Sequence, residues 1–251
     1  MNSYCIDSSS WEVIYKVLQK IPGLHVKNED RLRCFLQAVF FVLRTGIQWQ
    51  GLPSDYGNSR SIHKKFLRWC ERGIFDRILQ EISKDYDGET VMIDATITRT
   101  HACATGYRKG GNQTEAIGRS AGGLTTKIHA CVDALGQPLR FVLTPGQTHD
   151  VTQAEALIEG IENAHVIADK AYDANALIQK IQAQNCIPVI PTKVNRINPR
   201  EYDAHIYKER HLIECFFSKI KHFRRVFCRY DKRAIAFMGF LNLAASIIWL
   251  R

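Results

Sequence analysis

Apolar residues recur along this chain at helical spacing, then at strand spacing, then at the two in alternation. Over 11–82 they return every three to four residues, the period of helices that bury one stripe. Leu32, Phe35, Leu36, Val39, Phe40 and Leu43 form one such stripe, and Gly46 is placed to stop that helix. A turn-rich stretch over 51–59 leads into a second helix over about 61–72. Ile62, Phe66 and Trp69 share one of its faces, while Arg60, Lys64 and Arg68 follow at four-residue steps on another. Ile74, Phe75, Ile78, Leu79 and Ile82 mark a third.

Residues 91–97 then alternate as a strand, with Asp94 on the less apolar face. Residues 125–133 and 138–143 read as two more strands joined by the turn at 134–137. Between the first strand and the second, 105–123 hold six glycines with Arg108, Lys109 and Arg119, a flexible basic loop. It can clamp DNA or simply move; the sequence favours neither. Beyond Gly146 come a helix over 151–162, a strand over 165–169, a helix over 174–185, a strand over 187–191, and helix from about 205. That order predicts an α/β domain with a mixed central sheet.

Composition narrows the class. A 251-residue chain that is 45% hydrophobic and 24% charged is globular with a sizeable core, which excludes disorder as its main state. Lys and Arg outnumber Asp and Glu 34 to 25, and the +9 charge suits polyanionic partners. The eight cysteines include no CxxC pair, and Cys34, Cys131 and Cys215 fall in apolar stretches, so a reducing cytoplasm fits better than a disulfide or zinc scaffold. The apolar stretch 234–250 contains Gly239, Asn242 and Ser246, and reads as a buried core helix rather than a membrane span.

The run YKERHLIECFFSKIK, 207–221, is the most informative segment. At about 100° per residue, Tyr207, Arg210, Glu214 and Lys221 fall within roughly 60° of one another, with Leu212, Ile213, Phe216 and Ile220 opposite. A solvated polar face would give the same pattern. Two further acids, Asp94 inside an apolar strand and Asp169 at the end of another, shift the balance, because a buried carboxylate needs a partner, a proton or a metal. Convergence of Asp94, Asp169 and Glu214 would offer hard oxygen ligands to Mg²⁺ or Mn²⁺. Two such ions about 4 Å apart would activate an attacking oxygen and stabilise a leaving one. Arg210 and Lys221 could hold phosphate or support the carboxylate, and Tyr207 could stack or hydrogen-bond nearby.

With those residues in place, the chain resembles bacterial insertion-sequence transposases of the DDE class. Tyr207, Arg210, Glu214 and Lys221 match the group's Tyr-x2-Arg-x3-Glu-x6-Lys pattern without a gap, and Asp169-Lys170-Ala171-Tyr172 matches its second-acid motif. Asp94 in VMIDATITRTH matches the first acid, and RTGIQWQGLP followed by FLRW looks like the leading DNA-binding region. The resemblance implies an RNase H-like mixed sheet flanked by helices, with Asp94, Asp169 and Glu214 as the catalytic, metal-binding triad. It also implies cleavage at terminal inverted repeats, joining of freed 3′-hydroxyls to target DNA, and at least a homodimer pairing two element ends. The expected location is the bacterial cytoplasm, on the nucleoid when bound to DNA.

The expected division is a small all-α, helix-turn-helix-like DNA-binding region over 1–88, then the catalytic domain with its C-terminal helices over 89–251. Arg60, Lys64, Lys65, Arg68 and Arg72 are candidates for DNA contact, as are Arg108, Lys109, Arg119, Lys219, Arg224 and Arg225. The last three belong to a basic cluster, with 12 basic and five acidic residues over 193–233. Asp173 rivals Asp169 but reads more simply as a turn or cap, and Asp150 as the cap of the helix from 151. His149 reads as structural, and His101 stays open. Two other functions fit the same residues: a nuclease on the same fold that cuts without joining, and a catalytically silent DNA-binding regulator.

Overall fold

In a computed structural model that describes residues 5–107 and 111–251, the described residues form two compact units, one of 5–84, 100–107 and 219–251, the other of 85–99 and 111–218. Four helices open the first unit: α1 (Ser8–Lys20), α2 (Glu29–Thr45), α3 (Ser59–Glu71) and α4 (Ile74–Ile82). Asp7, Asn28 and Asn58 cap the first three, each side chain accepting a first-turn backbone N–H that has no partner within the helix. Gly46 ends α2 in the left-handed region at φ 72°, as its position in the sequence predicts. The stripe from Leu32 to Leu43 is buried, and Arg60, Lys64 and Arg68 are exposed along α3.

The second unit is built on a mixed sheet. Its strands are β1 (Thr90–Thr100), β2 (Gly118–Ser120), β3 (Gly123–Asp133), β4 (Pro138–Pro145), β5 (His165–Ile167) and β6 (Ile187–Val189). A one-turn helix, α5 (Gly111–Thr114), precedes β2; α6 (Ala154–Leu157) and α7 (Asn175–Ala183) alternate with β5 and β6; α8 (Ala204–Tyr207) and α9 (His211–Lys221) follow. The order across the sheet is β4-β3-β1-β5-β6, antiparallel through the first three strands and parallel through the last three. This is the RNase H-like arrangement. The expected α/β fold class, a mixed sheet flanked by helices after an all-α region, is the observed one. β2, three residues inside the glycine-rich stretch, has no period from which to read it.

Register places the site. β5 pairs with β1 only from Thr90 to Met92, the last pair being Met92 with Ile167. Two residues further on, Asp94 and Asp169 come to the same end of neighbouring parallel strands, and by alternation to the same face. Val91, Ile93 and Cys131 pack the opposite face against Leu157, Ile158, Leu177 and Ile181. On the Asp94 side, Phe141 of β4 stacks on Phe216 of α9 at 5.9 Å. Ile213, Phe216 and Ile220 anchor α9 by burial, worth roughly 1.5–3 kcal/mol each. Glu214 stays exposed on the other side of that helix.

The chain then returns to the first unit with α10 (Arg224–Phe227), a two-residue strand β7 (Cys228–Arg229) and α11 (Ala234–Trp249). α11 is buried from Ala236 to Ile247 apart from Met238, and packs on α3 and α4. Gly239 makes the close approach possible: a Cβ there would sit 2.5 Å from Cys70 Sγ and 3.3 Å from Phe75. Among the described residues no helix is long and apolar enough to cross a membrane. The compact units cut the chain differently from a linear division at residue 88, because the C-terminal helices complete the core of the N-terminal ones. Cys131 is buried as expected, whereas Cys215 is exposed on α9.

Candidate active site

Asp94 sits in the middle of β1 with its side chain 18% exposed. Its Oδ1 accepts the Ala95 N–H at 2.7 Å and its Oδ2 accepts from Arg210 Nη1 at 2.9 Å. The other arm of the same guanidinium binds Glu214, one helical turn away in sequence. Burial pushes the Asp94 carboxyl up to about 6, against the pull of the Ala95 N–H and Arg210, and the carboxylates of Asp169 and Asp150 raise it further. Arg210 itself is partly buried, which works against its charge, but Asp94 and Glu214 outweigh this and hold it protonated.

Asp169 follows β5 and caps a single 3-10 turn, Lys170–Tyr172, accepting the Ala171 N–H at 2.8 Å. Tyr207 ends α8, half-buried beside Arg210 and edge-on to Tyr202 at 5.5 Å. The polar face expected of one continuous helix therefore spans α8, a 3-10 turn over Lys208–Arg210, and α9. Lys221, at the end of α9, is half-buried, and burial lowers its pKa.

The structure thus brings Asp94, Asp169, Glu214, Arg210 and Tyr207 together in the sheet-bearing unit. Among the described residues no three His, Cys, Asp or Glu side chains stand close enough to hold a metal ion as a set. The guanidinium of Arg210 lies between two of the three candidates.

Two acids differ from their sequence reading. Asp173 is no helix cap: its side chain is fully buried, accepts the Lys193 N–H, and is gripped by Arg196 and Arg200. That explains an acid near the strand end with no open side. Asp150 is no cap either. The helix expected over 151–162 is a 3-10 turn, Asp150–Gln153, plus one turn of α6, and Asp150 pairs with Lys127 of β3 at 2.8 Å. His129, on the same face of β3, is fully buried and hydrogen-bonds Thr144 through Nε2 at 2.8 Å, with Nδ1 3.9 Å from Asp150. Burial lowers its pKa to about 4. Lys127 and His129 were not singled out by sequence, though alternation along β3 was the available signal; the buried Tyr172 entered only as the last residue of the second-acid motif.

The basic candidates divide. Arg60, Lys64, Arg68, Arg119, Lys219 and Arg224 are exposed. Lys65 lies over the Phe35 ring at 4.2 Å, and Arg72 donates to the carbonyls of Pro22 and Gly23. Arg225 is corrected: it is buried, pairs with Asp231 at 2.9 Å and donates to Ile47 O, so it holds the helical unit together instead of facing DNA. Arg108 and Lys109 lie outside the described residues. The helical unit also carries an open cleft of about 960 Å³, lined by Trp49, His63, Arg60 and Tyr230 among others and by none of the three acids.

Comparison with known proteins decides the family. The family model described as Transposase DDE domain matches residues 85–249, the segment carrying all three acids. The chain belongs to the DDE transposase family. A second model, for transposases of the IS4/5 family, matches residues 6–79 of the same transposase. A Brucella ovis protein ascribed to insertion sequence element IS6501 as its transposase is 50% identical over 131 residues, which is 51% of this chain and all of that protein. A Burkholderia cepacia protein ascribed to IS402 in the same way is 30% identical over 135 residues, 49% of this chain and 62% of the relative. Among solved structures, the transposase aligns with a piggyBac transposase synaptic complex with hairpin DNA at 12% identity and TM-score 0.45, covering 99% of this chain and 71% of the other. DNA transposition is the activity of this family, and its members generally use divalent metal ions.

Proposed function

We propose that Asp94, Asp169 and Glu214 are the catalytic carboxylates of this transposase and that they hold Mg²⁺ or Mn²⁺, two ions in the working centre. The observation that carries this reading is the sharing of one guanidinium, Arg210, by Asp94 and Glu214, with Asp169 at the same strand edge and electrostatically coupled to Asp94. The donor set fits: three carboxylates are hard oxygen ligands, and Asp94 lies where an ionised group needs a cation. When bound, the ions supply Lewis-acid activation of the attacking oxygen and stabilisation of the leaving one.

The rest falls to the chain. Arg210 and Lys221 orient the scissile phosphate by charge-assisted hydrogen bonds, and Tyr207 stacks or hydrogen-bonds beside it. Water attacks the phosphodiester at a terminal inverted repeat and breaks its P–O3′ bond, freeing a 3′-hydroxyl and leaving a 5′-phosphate; that hydroxyl then attacks a phosphodiester of target DNA and expels the target strand's 3′-hydroxyl, with no covalent enzyme–DNA intermediate. Residues 1–88 act as the helix-turn-helix-like DNA-binding region and 89–251 as the catalytic domain. Arg60, Lys64 and Arg68 are the leading phosphate contacts, with Lys65, Arg72, Arg119, Lys219 and Arg224 contributing. Arg108 and Lys109 extend the same basic run in sequence. The working complex is a homodimer on paired element ends, in the cytoplasm and on the nucleoid.

The test is a cleavage and joining assay on duplex DNA carrying the flanking inverted repeats. Cut ends joined to target DNA in Mg²⁺ or Mn²⁺, and absent in EDTA, support the reading. Cut ends that are never joined favour the nuclease, and binding without cutting favours the regulator.

A further inference from the structure

The position of Arg210 carries a consequence beyond orienting phosphate. Its guanidinium touches Asp94 and Glu214 at once. Asp94 is largely buried, and Arg210 is the cation that offsets the cost of ionising it there. A divalent ion that draws on Asp94 and Glu214 therefore competes with Arg210 for the same oxygens. The carboxylates that act on the guanidinium are Asp94, Glu214 and Asp169, and Asp169 belongs to the same set. A DNA phosphate is a matching anion, because it accepts the same planar, two-armed donor geometry.

We propose that Arg210 is an internal cation that couples metal loading to DNA binding: it occupies the carboxylates until a DNA phosphate takes it, so that each ligand favours the other. This rests on the reading of Asp94, Asp169 and Glu214 as metal ligands. Linkage makes the effect reciprocal: if DNA raises metal affinity by some factor, metal raises DNA affinity by the same factor. Functionally, the arrangement withholds divalent ions from a centre that has no DNA on it.

The experiment measures Mn²⁺ binding by electron paramagnetic resonance of the free ion, without activity as a readout. Full-length protein is titrated alone and with duplex DNA carrying the inverted repeat, for wild type, Arg210→Gln and Arg210→Lys. Wild type binds Mn²⁺ more tightly with DNA, by a factor in the range usual for linked sites, roughly 5- to 150-fold. Arg210→Gln binds Mn²⁺ more tightly than wild type when no DNA is present, and DNA then adds little. Arg210→Lys keeps the charge but cannot bridge two carboxylates in the same plane, so it falls between the two. It also carries the test if thermal melting shows that the Gln variant does not fold. Equal Mn²⁺ affinity in wild type and the folded variants without DNA overturns the coupling while leaving the metal site intact. Failure of wild type to bind Mn²⁺ even with DNA overturns the metal reading itself.

Discussion

Arg210 Nη1 lies 2.9 Å from Asp94 Oδ2, a contact between the centre of the first strand and the 3-10 turn that leads into the helix carrying Glu214. It links residues 116 positions apart, and with the Arg210–Glu214 pair it accounts for the four-residue spacing of Arg210 and Glu214. Arg210 must face the sheet edge one turn before Glu214 does.

Asp173 is the rival acid, and its environment separates the two roles. With a fully buried side chain held by Arg196 and Arg200, it is a structural anchor. Asp173→Asn is expected to cost roughly 3 kcal/mol, the low end for breaking a buried pair because both arginines are partly exposed. Urea unfolding measures it. A change under about 0.5 kcal/mol, the usual range for uneventful surface substitutions, would refute the anchor.

His129 makes stability pH-dependent. Its folded pKa of about 4 lies below the ordinary value of 6.5, so the unfolded chain binds more protons between those limits. Its contribution is complete above pH 6.5 and is lost as pH falls toward 4, by up to about 3 kcal/mol. Asp94, with its raised pKa, works in the opposite sense over part of this range, and does so in any variant that keeps it. Unfolding of wild type and His129→Gln at pH 7 and pH 4.5 should show a smaller acid loss in the variant. Equal losses would contradict the buried neutral imidazole.

Gly239 tests the packing of the C-terminal helix. Gly239→Ala puts a methyl 2.5 Å from Cys70 Sγ, and overpacking of this kind costs about 1–3 kcal/mol. A helix-interior glycine would otherwise gain from alanine. A raised melting temperature in the alanine variant would mean that α11 does not approach α3 so closely.

The two kinds of basic residue in the helical unit should behave differently. Replacing Arg60, Lys64 or Arg68 by Gln is expected to leave stability unchanged and to reduce the salt dependence of DNA binding by about one unit of slope per lost phosphate contact. Arg225→Ala leaves Asp231 buried alone and should cost about 3–5 kcal/mol in stability. Binding isotherms across a salt series, beside melting curves, check both; an Arg225→Ala variant as stable as wild type would refute its structural role.

Much of this was legible in sequence. The two-residue period fixed Asp94 inside an apolar strand, and helical spacing put Glu214 opposite Ile213, Phe216 and Ile220. Those patterns are local, so one chain displays them. What the sequence left hidden depends on distant partners. Arg225 looks like any basic residue until Asp231 and Ile47 O are seen around it. Asp150 sits at a plausible helix start, yet Lys127 of another strand claims its carboxylate. The union of the last helices with the first four follows from packing between ends of the chain, which no local period encodes.

Whether Asp94, Asp169 and Glu214 form the catalytic set is decided by comparing four variants. Asp94→Asn, Asp169→Asn, Glu214→Gln and Asp173→Asn are assayed for Mg²⁺-dependent cutting and joining of inverted-repeat DNA, with DNA binding measured in parallel. The first three are expected to lose both steps while still binding DNA, whereas Asp173→Asn loses activity only in proportion to its lost folding. Undiminished cutting and joining by any of the first three would contradict that catalytic set.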